Sequence, residues 1–98
     1  MMKWILVSVF EREIVARMFD SYADARLAMM MQLREEYAKD LDAYNNVEKC
    51  YLESMWDNIC KQDSYNDGNF GFDEFSAYSN LDSSCNCDWK IFATGEIR

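Results

Sequence analysis

The chain has 98 residues, half of them hydrophobic and 15% aromatic, with no proline, no histidine and a formal net charge of −8. Its Trp, Tyr and Phe content excludes a disordered polar chain, and its length accommodates one modest core, so residues 1-98 read as a single domain. The acidic balance argues against direct contact with nucleic acid or an anionic membrane, because phosphate recognition needs concentrated Lys and Arg; basic protein partners are favoured instead.

Trp4 to Phe10 is an apolar run flanked by Lys3 and Glu11, too short to span a bilayer and without a small-residue cleavage site. It predicts a strand. Both of its alternating sets are apolar, so cover is expected on both faces. After the charged break Glu11-Arg12-Glu13, the segment Ile14 to Phe19 completes an antiparallel hairpin. With no signal peptide in view, Cys50, Cys60, Cys85 and Cys87 read as free thiols of a cytoplasmic protein.

Ser21-Tyr22-Ala23-Asp24 resembles a capping box and opens a helix whose apolar stripe is Tyr22, Ala25, Met29, Leu33, Tyr37 and Leu41. Met29 belongs to that stripe, which leaves Met30 or Met31 exposed. A single helix continued to residue 62 would span roughly 60 Å, too long for this domain. A break at Asn45-Asn46 is expected, with Asn45 capping a second helix through Glu48. Val47, Tyr51, Met55 and Ile59, widened by Leu52 and Trp56, form its expected buried face, while Lys49, Glu53 and Asp57 face water. Residues 63–69 and 82–88 are turn-like, residues 70–79 suit a strand or a short helix, and Trp89 to Thr94 alternates as a final strand. The expected fold class is α+β: a small antiparallel sheet, made of the N-terminal hairpin plus C-terminal strands, with two helices packed on one face.

One motif stands out. Residues 63–74 resemble the twelve-residue calcium loop of EF-hand proteins, with Gly68 at the sharp turn. The resemblance implies Asp63, Asp67, Asn69 and Glu74 as oxygen ligands, Asn69 through its carbonyl and Glu74 in bidentate fashion. Tyr65 departs from the pattern, occupying a position where the family carries Asp or Asn. A bare Asn66-Asp67-Gly68 turn leading into a strand is the competing reading. Calcium is the cofactor on the first reading and there is none on the second. Cys85-Asn86-Cys87 does not have the spacing of a structural zinc site. Without histidine the chain lacks the usual general base, and its adjacent carboxylate pairs diverge, so no enzymatic activity is expected.

The charge itself is unevenly placed. Residues 35–88 carry 13 acidic and 3 basic side chains, net −10, whereas the flanks sum to +2. Duplex DNA presents one charge per about 1.7 Å, but this stretch drawn out as helix would present one per roughly 8 Å, so linear mimicry of DNA fails. Folding must instead gather the carboxylates on one surface. Glu36 and Asp40, and likewise Glu53 and Asp57, stand one helical turn apart and are the expected partner-binding residues.

In size, acidity and lack of a catalytic set, the chain is similar in general character to the small anti-CRISPR inhibitors that phages use against bacterial defence nucleases. That likeness implies a non-enzymatic binding protein that occludes the basic, nucleic-acid-binding surface of a partner enzyme. A calcium-binding module is the alternative, and a purely structural protein would show itself by self-association.

Overall fold

The expected hairpin forms as β1 (Trp4–Phe10) and β2 (Glu13–Phe19), paired antiparallel from Trp4 opposite Phe19 to Phe10 opposite Glu13. The computed structural model describes residues 3–10, 13–41, 46–80 and 86–94. The chain continues through α1 (Tyr22–Leu41) and α2 (Asn46–Ile59). Four strands follow: β3 (Tyr65–Asn66), β4 (Phe70–Phe72), β5 (Ser76–Ser79) and β6 (Cys87–Ala93). All six join one antiparallel sheet in the order β2-β1-β6-β5-β4-β3, so the last strand lies beside the first. The α+β class read from the sequence is the fold observed.

Ser21 caps α1 as its sequence implies, its Oγ accepting the Asp24 amide at 3.1 Å. Ala25, Met29, Leu33 and Tyr37 are buried along the helix. They meet Leu6 from β1, Trp89 and Ile91 from β6, Ala77 from β5, and Phe70 and Phe72 from β4. Each large apolar side chain removed from water here contributes roughly 1.5–3 kcal/mol. Trp56 and Ile59 bring α2 into the same layer, and Trp56 lies with its ring centroid 5.2 Å from Tyr37 and 6.0 Å from Phe70. The Asn45 cap lies outside the described residues.

Two expectations change. The first is that β1 would be covered on both faces. Leu6 and Ser8 are buried, but Ile5, Val7 and Val9 are half-exposed on the side opposite the helices. The second concerns the buried face of α2, which is turned away from Val47 and Tyr51, 81% and 67% exposed, toward Leu52, Met55, Trp56 and Ile59. Anchoring by Trp56 among Tyr37 and Phe70 sets that rotation.

The segment from 65 to 72 is a tight hairpin. Asp67 N donates to Phe70 O at 3.2 Å, and Gly68, first of the two central residues, has φ +86°. Hairpin turns of this length demand a positive φ at that position, which favours glycine. Gly71 serves differently, because a Cβ there would fall 2.6 Å from the Tyr65 carbonyl oxygen and 2.7 Å from the Tyr78 ring. Gly71→Ala should therefore destabilise the domain by about 1–3 kcal/mol, and Gly68→Ala by about 1 kcal/mol. Thermal melts of the two variants check this, and an unshifted midpoint for Gly71→Ala would show that the hairpin tolerates the added methyl.

Candidate docking surface

On α2, Glu53 and Asp57 are exposed and four residues apart, so they share one outward flank of the helix. The outward surface continues round to Val47 and Tyr51, which also lie four apart. Glu53 and Tyr51, two residues apart, point roughly 160° from one another, so the carboxylates and the exposed ring stand on opposite margins of that outward surface.

The α1 pair behaves otherwise. Glu36 is only 5% exposed: its Oε1 accepts from Lys39 Nζ at 3.0 Å, and its buried Oε2 has no hydrogen-bond partner among the described residues. It cannot present a charge to a partner, and its place in the expected docking set is corrected here. The reason is helical phase, since Glu36 falls seven residues after the fully buried Met29 and beside buried Tyr37. The Asp40 side chain lies outside the described residues.

Residues 63–74 fold as strand, turn and strand. The exiting helix of a calcium loop is replaced by β4 and β5. Asp67, the fifth-position ligand of the calcium reading, spends Oδ1 on the amides of Asn69 and Phe70 at 2.8 and 3.0 Å, while Oδ2 accepts from the Tyr65 hydroxyl at 3.0 Å. Asn69 O accepts from Asn80 N at 2.6 Å rather than pointing into a cation cage. Asp63 and Glu74 are exposed, and no group of three or more metal-ligating side chains gathers among the described residues. The turn-and-strand reading holds, and the EF-hand-like geometry is corrected. Burial, the Asp67 hydrogen bond and the Asp67 charge together hold the Tyr65 phenol above its ordinary pKa.

Arg26 ties this hairpin to α1. Its guanidinium lies 5.3 Å from the Phe72 ring centroid and donates to the carbonyl oxygens of Asp73 and, at 3.5 Å, Asp63. The Tyr22 hydroxyl donates to Glu74 O close by. Asp73 closes the next turn, its Oδ1 accepting from Phe75 N, Ser76 N and Ser76 Oγ at 2.8–2.9 Å. Burial pushes its carboxyl upward, but those three hydrogen bonds and the Arg26 charge outweigh it, and the pKa lies below the usual carboxylate value.

Arginines here face rings more than carboxylates. Arg34 stands 5.9 and 5.8 Å from the centroids of Tyr37 and Trp56, and Arg17 stands 5.3 Å from that of Phe19. Among the described residues the ion pairs are Lys3 with Asp20 and Lys39 with Glu36. Glu53, Asp57, Asp63, Asp67 and Glu74 are left without a cationic partner there, on α2 and the β3–β4 end of the sheet. Cys50 and Cys60 are exposed thiols and Cys87 is buried, while Cys85 lies outside the described residues. No described helix is long and apolar enough to cross a membrane. No protein-family model, curated protein or solved structure matches the chain.

Because its folded pKa is lowered, Asp73 stabilises the fold fully above the ordinary carboxylate value of 3.8 and loses that contribution as pH falls through the lower folded value. Asp73→Ala should cost about 1–2 kcal/mol near neutral pH, and the gap from wild type should narrow below about pH 4. Melts across that range test the sign; a gap that widens in acid contradicts it. Millimolar calcium should leave the melting temperature of the wild-type chain unchanged, since a ligand bound only by the folded state must raise it.

Proposed function

We propose that this chain is a non-enzymatic binding protein that occludes a basic, nucleic-acid-binding surface of a partner protein, acting as an inhibitor of the kind phages direct at bacterial defence nucleases. The observation that carries the reading is the outer surface of α2, where Glu53 and Asp57 lack cationic partners among the described residues on one margin and the exposed ring of Tyr51 stands on the other. Uncompensated carboxylates steer a basic partner into encounter and fix its orientation, an effect that salt weakens. The aromatic ring supplies the desolvated anchor that charge alone does not. The β3–β4 hairpin, with Asp63, Asp67 and Glu74, extends the same negative field.

Occlusion needs no catalytic group on this chain. It requires that the carboxylates be held in place, and α2 provides this by burying Trp56 and Ile59. Such a partner binds this chain in competition with its nucleic acid, because both ligands use the same lysines and arginines.

The decisive variant is Glu53→Lys/Asp57→Lys. Both positions are exposed, so circular dichroism and melting should remain those of wild type. Capture of basic nucleic-acid-binding proteins from the native host at low salt should be lost, and in wild type it should fall steeply as salt rises. Tyr51→Ala should weaken the complex by on the order of tenfold or more while leaving the salt dependence intact. Undiminished capture by the double lysine variant would overturn the role of α2.

A further inference from the structure

The two edges of the sheet are unlike. At one end β3 has two residues; at the other β2 has seven, and as the terminal strand its outer backbone groups have no partner within the sheet. Long edge strands are usually blunted by charged side chains, lysine above all, or by proline or a bulge, because unpaired amides and carbonyls are a template for another strand; the two charges of β2, Glu13 and Arg17, are of opposite sign. β2 runs in unbroken register with β1 and has neither lysine nor proline.

Apolar surface collects around that edge. Of the eight large hydrophobic side chains exposed among the described residues, five are Ile14, Val15, Met18, Leu27 and Met31, with Ile14 at 75% and Met18 at 62%. Leu27 and Met31 come from α1, and a mixed groove, lined by both together with Met18 and Phe19 and by the charged Arg17, Asp20 and Asp24, joins the helix to the strand. Scattered apolar residues need no explanation, but a contiguous set on both sides of an unpaired strand does.

We propose that β2 pairs with β2 of a second copy of this chain, antiparallel and centred on Val15, to give a symmetric dimer with a continuous sheet. The charge pattern of the strand is what selects a second copy. Glu13 and Arg17 are four residues apart and so lie on one face, with Val15 midway between them. A two-fold axis at Val15 sets Glu13 opposite Arg17 of the second copy and Arg17 opposite its Glu13, while Val15 faces Val15. The strand therefore reads as its own complement, with no net charge. On the other face of the sheet, Ile14 meets Ala16 of the second copy. On the helix side, Leu27 and Met31 approach their counterparts and widen an interface that strand pairing alone would leave narrow.

Long-range electrostatics favours the same edge. A chain of net charge −8 repels itself, but the uncompensated carboxylates of the β3–β4 hairpin lie at the far end of the sheet. Five strand spacings separate β3 from β2, about 24 Å, well beyond the Debye length of about 8 Å at physiological ionic strength. Pairing through β2 places the two negative ends as far apart as the sheet allows. The proposal uses a different surface from the α2 flank and stands whether or not that flank docks a basic partner.

The test is sedimentation equilibrium of the full chain from low micromolar to several hundred micromolar. A species of twice the chain mass should accumulate with concentration. Arg17→Glu sets like charges opposite each other twice and should raise the dissociation constant by on the order of tenfold or more. Glu13→Arg/Arg17→Glu restores both pairs and should return it to the wild-type range. An equimolar mixture of Glu13→Arg and Arg17→Glu chains should likewise associate better than either alone. Ile14→Lys, at an exposed site that does not endanger folding, should abolish the dimer. A wild-type chain that stays monomeric throughout the range overturns the proposal, as does a dimer that survives Ile14→Lys or a charge swap that fails to recover association.

Discussion

The carboxamide of Gln32 decides how α1 lies on the sheet. Its Oε1 accepts from Ser8 Oγ and from Trp89 Nε1, both at 2.8 Å, at the boundary between helix and strands. Trp89 is 1% exposed and Ser8 2%, so each polar hydrogen would be left without water or partner if the helix turned away. Leaving such a donor unpaired costs about 1–3 kcal/mol, more than most rotations of an apolar stripe would recover. One acceptor therefore pins β1, β6 and α1 together. With Gln32 facing the sheet, Ala25, Met29 and Leu33 must go down into the core. The same phase carries Glu36 inward, turns Leu27 and Met31 outward beside β2, and aims Arg26 across Phe72 toward the hairpin.

That pinning explains what the amino-acid sequence does and does not reveal. The α1 stripe from Tyr22 to Tyr37 and the final strand are legible because each shows a repeated period, close to 3.6 or two, over several residues, and the hairpin because two short apolar runs flank a charged break. Glu36 was misread as surface because a single carboxylate gives no sign that its neighbours occupy a buried phase; counting seven residues on from Met29 was the available signal. The rotation of α2 was less legible. Val47 and Tyr51 satisfy the same spacing as the residues that are buried, and only the meeting of Trp56 with Tyr37 and Phe70, distant in sequence, selects between the two faces. The half-exposed face of β1 is a similar case. A run apolar on both alternating sets is written identically whether the second layer is another part of the chain or another molecule.

Residues 63–74 show why composition alone misleads about metal sites. A calcium loop and a tight hairpin both want glycine where φ is positive and both favour Asp and Asn nearby, in one case to ligate an ion and in the other to accept the chain's own amides. Asp67 follows the second course with Asn69 and Phe70 as donors. The residues that discriminate lie beyond the turn. Phe70, Gly71 and Phe72 pair as a strand with β5, and Gly71 admits the Tyr65 carbonyl oxygen and the Tyr78 ring so closely that no other residue suits the site.

The acidic surface, finally, arises as much from where arginine is used as from where carboxylates are. Arg26 and Arg34 lie in α1 near the negative half of the molecule, and ion pairing with carboxylates there would have neutralised part of it. Instead Arg26 faces Phe72 and the carbonyl oxygens of Asp73 and Asp63, and Arg34 faces Tyr37 and Trp56. A guanidinium over a ring is weakly hydrated and consumes no carboxylate, even though Arg34 Nη1 is buried without a hydrogen-bond partner among the described residues. Exposed ion pairs would have added little stability, with typical values of about 0–1 kcal/mol, so leaving Glu53 and Asp57 unpaired costs the fold almost nothing. Basic side chains are thus engaged in holding α1, α2 and the hairpin together, and the charge left over stays concentrated on the α2 and β3–β4 end. The β2 strand, with one Glu and one Arg, carries no net charge of its own and exposes Ile14, Val15 and Met18. A six-stranded sheet keeps the two kinds of surface beyond each other's screened reach, so each is free to be selected for its own contact.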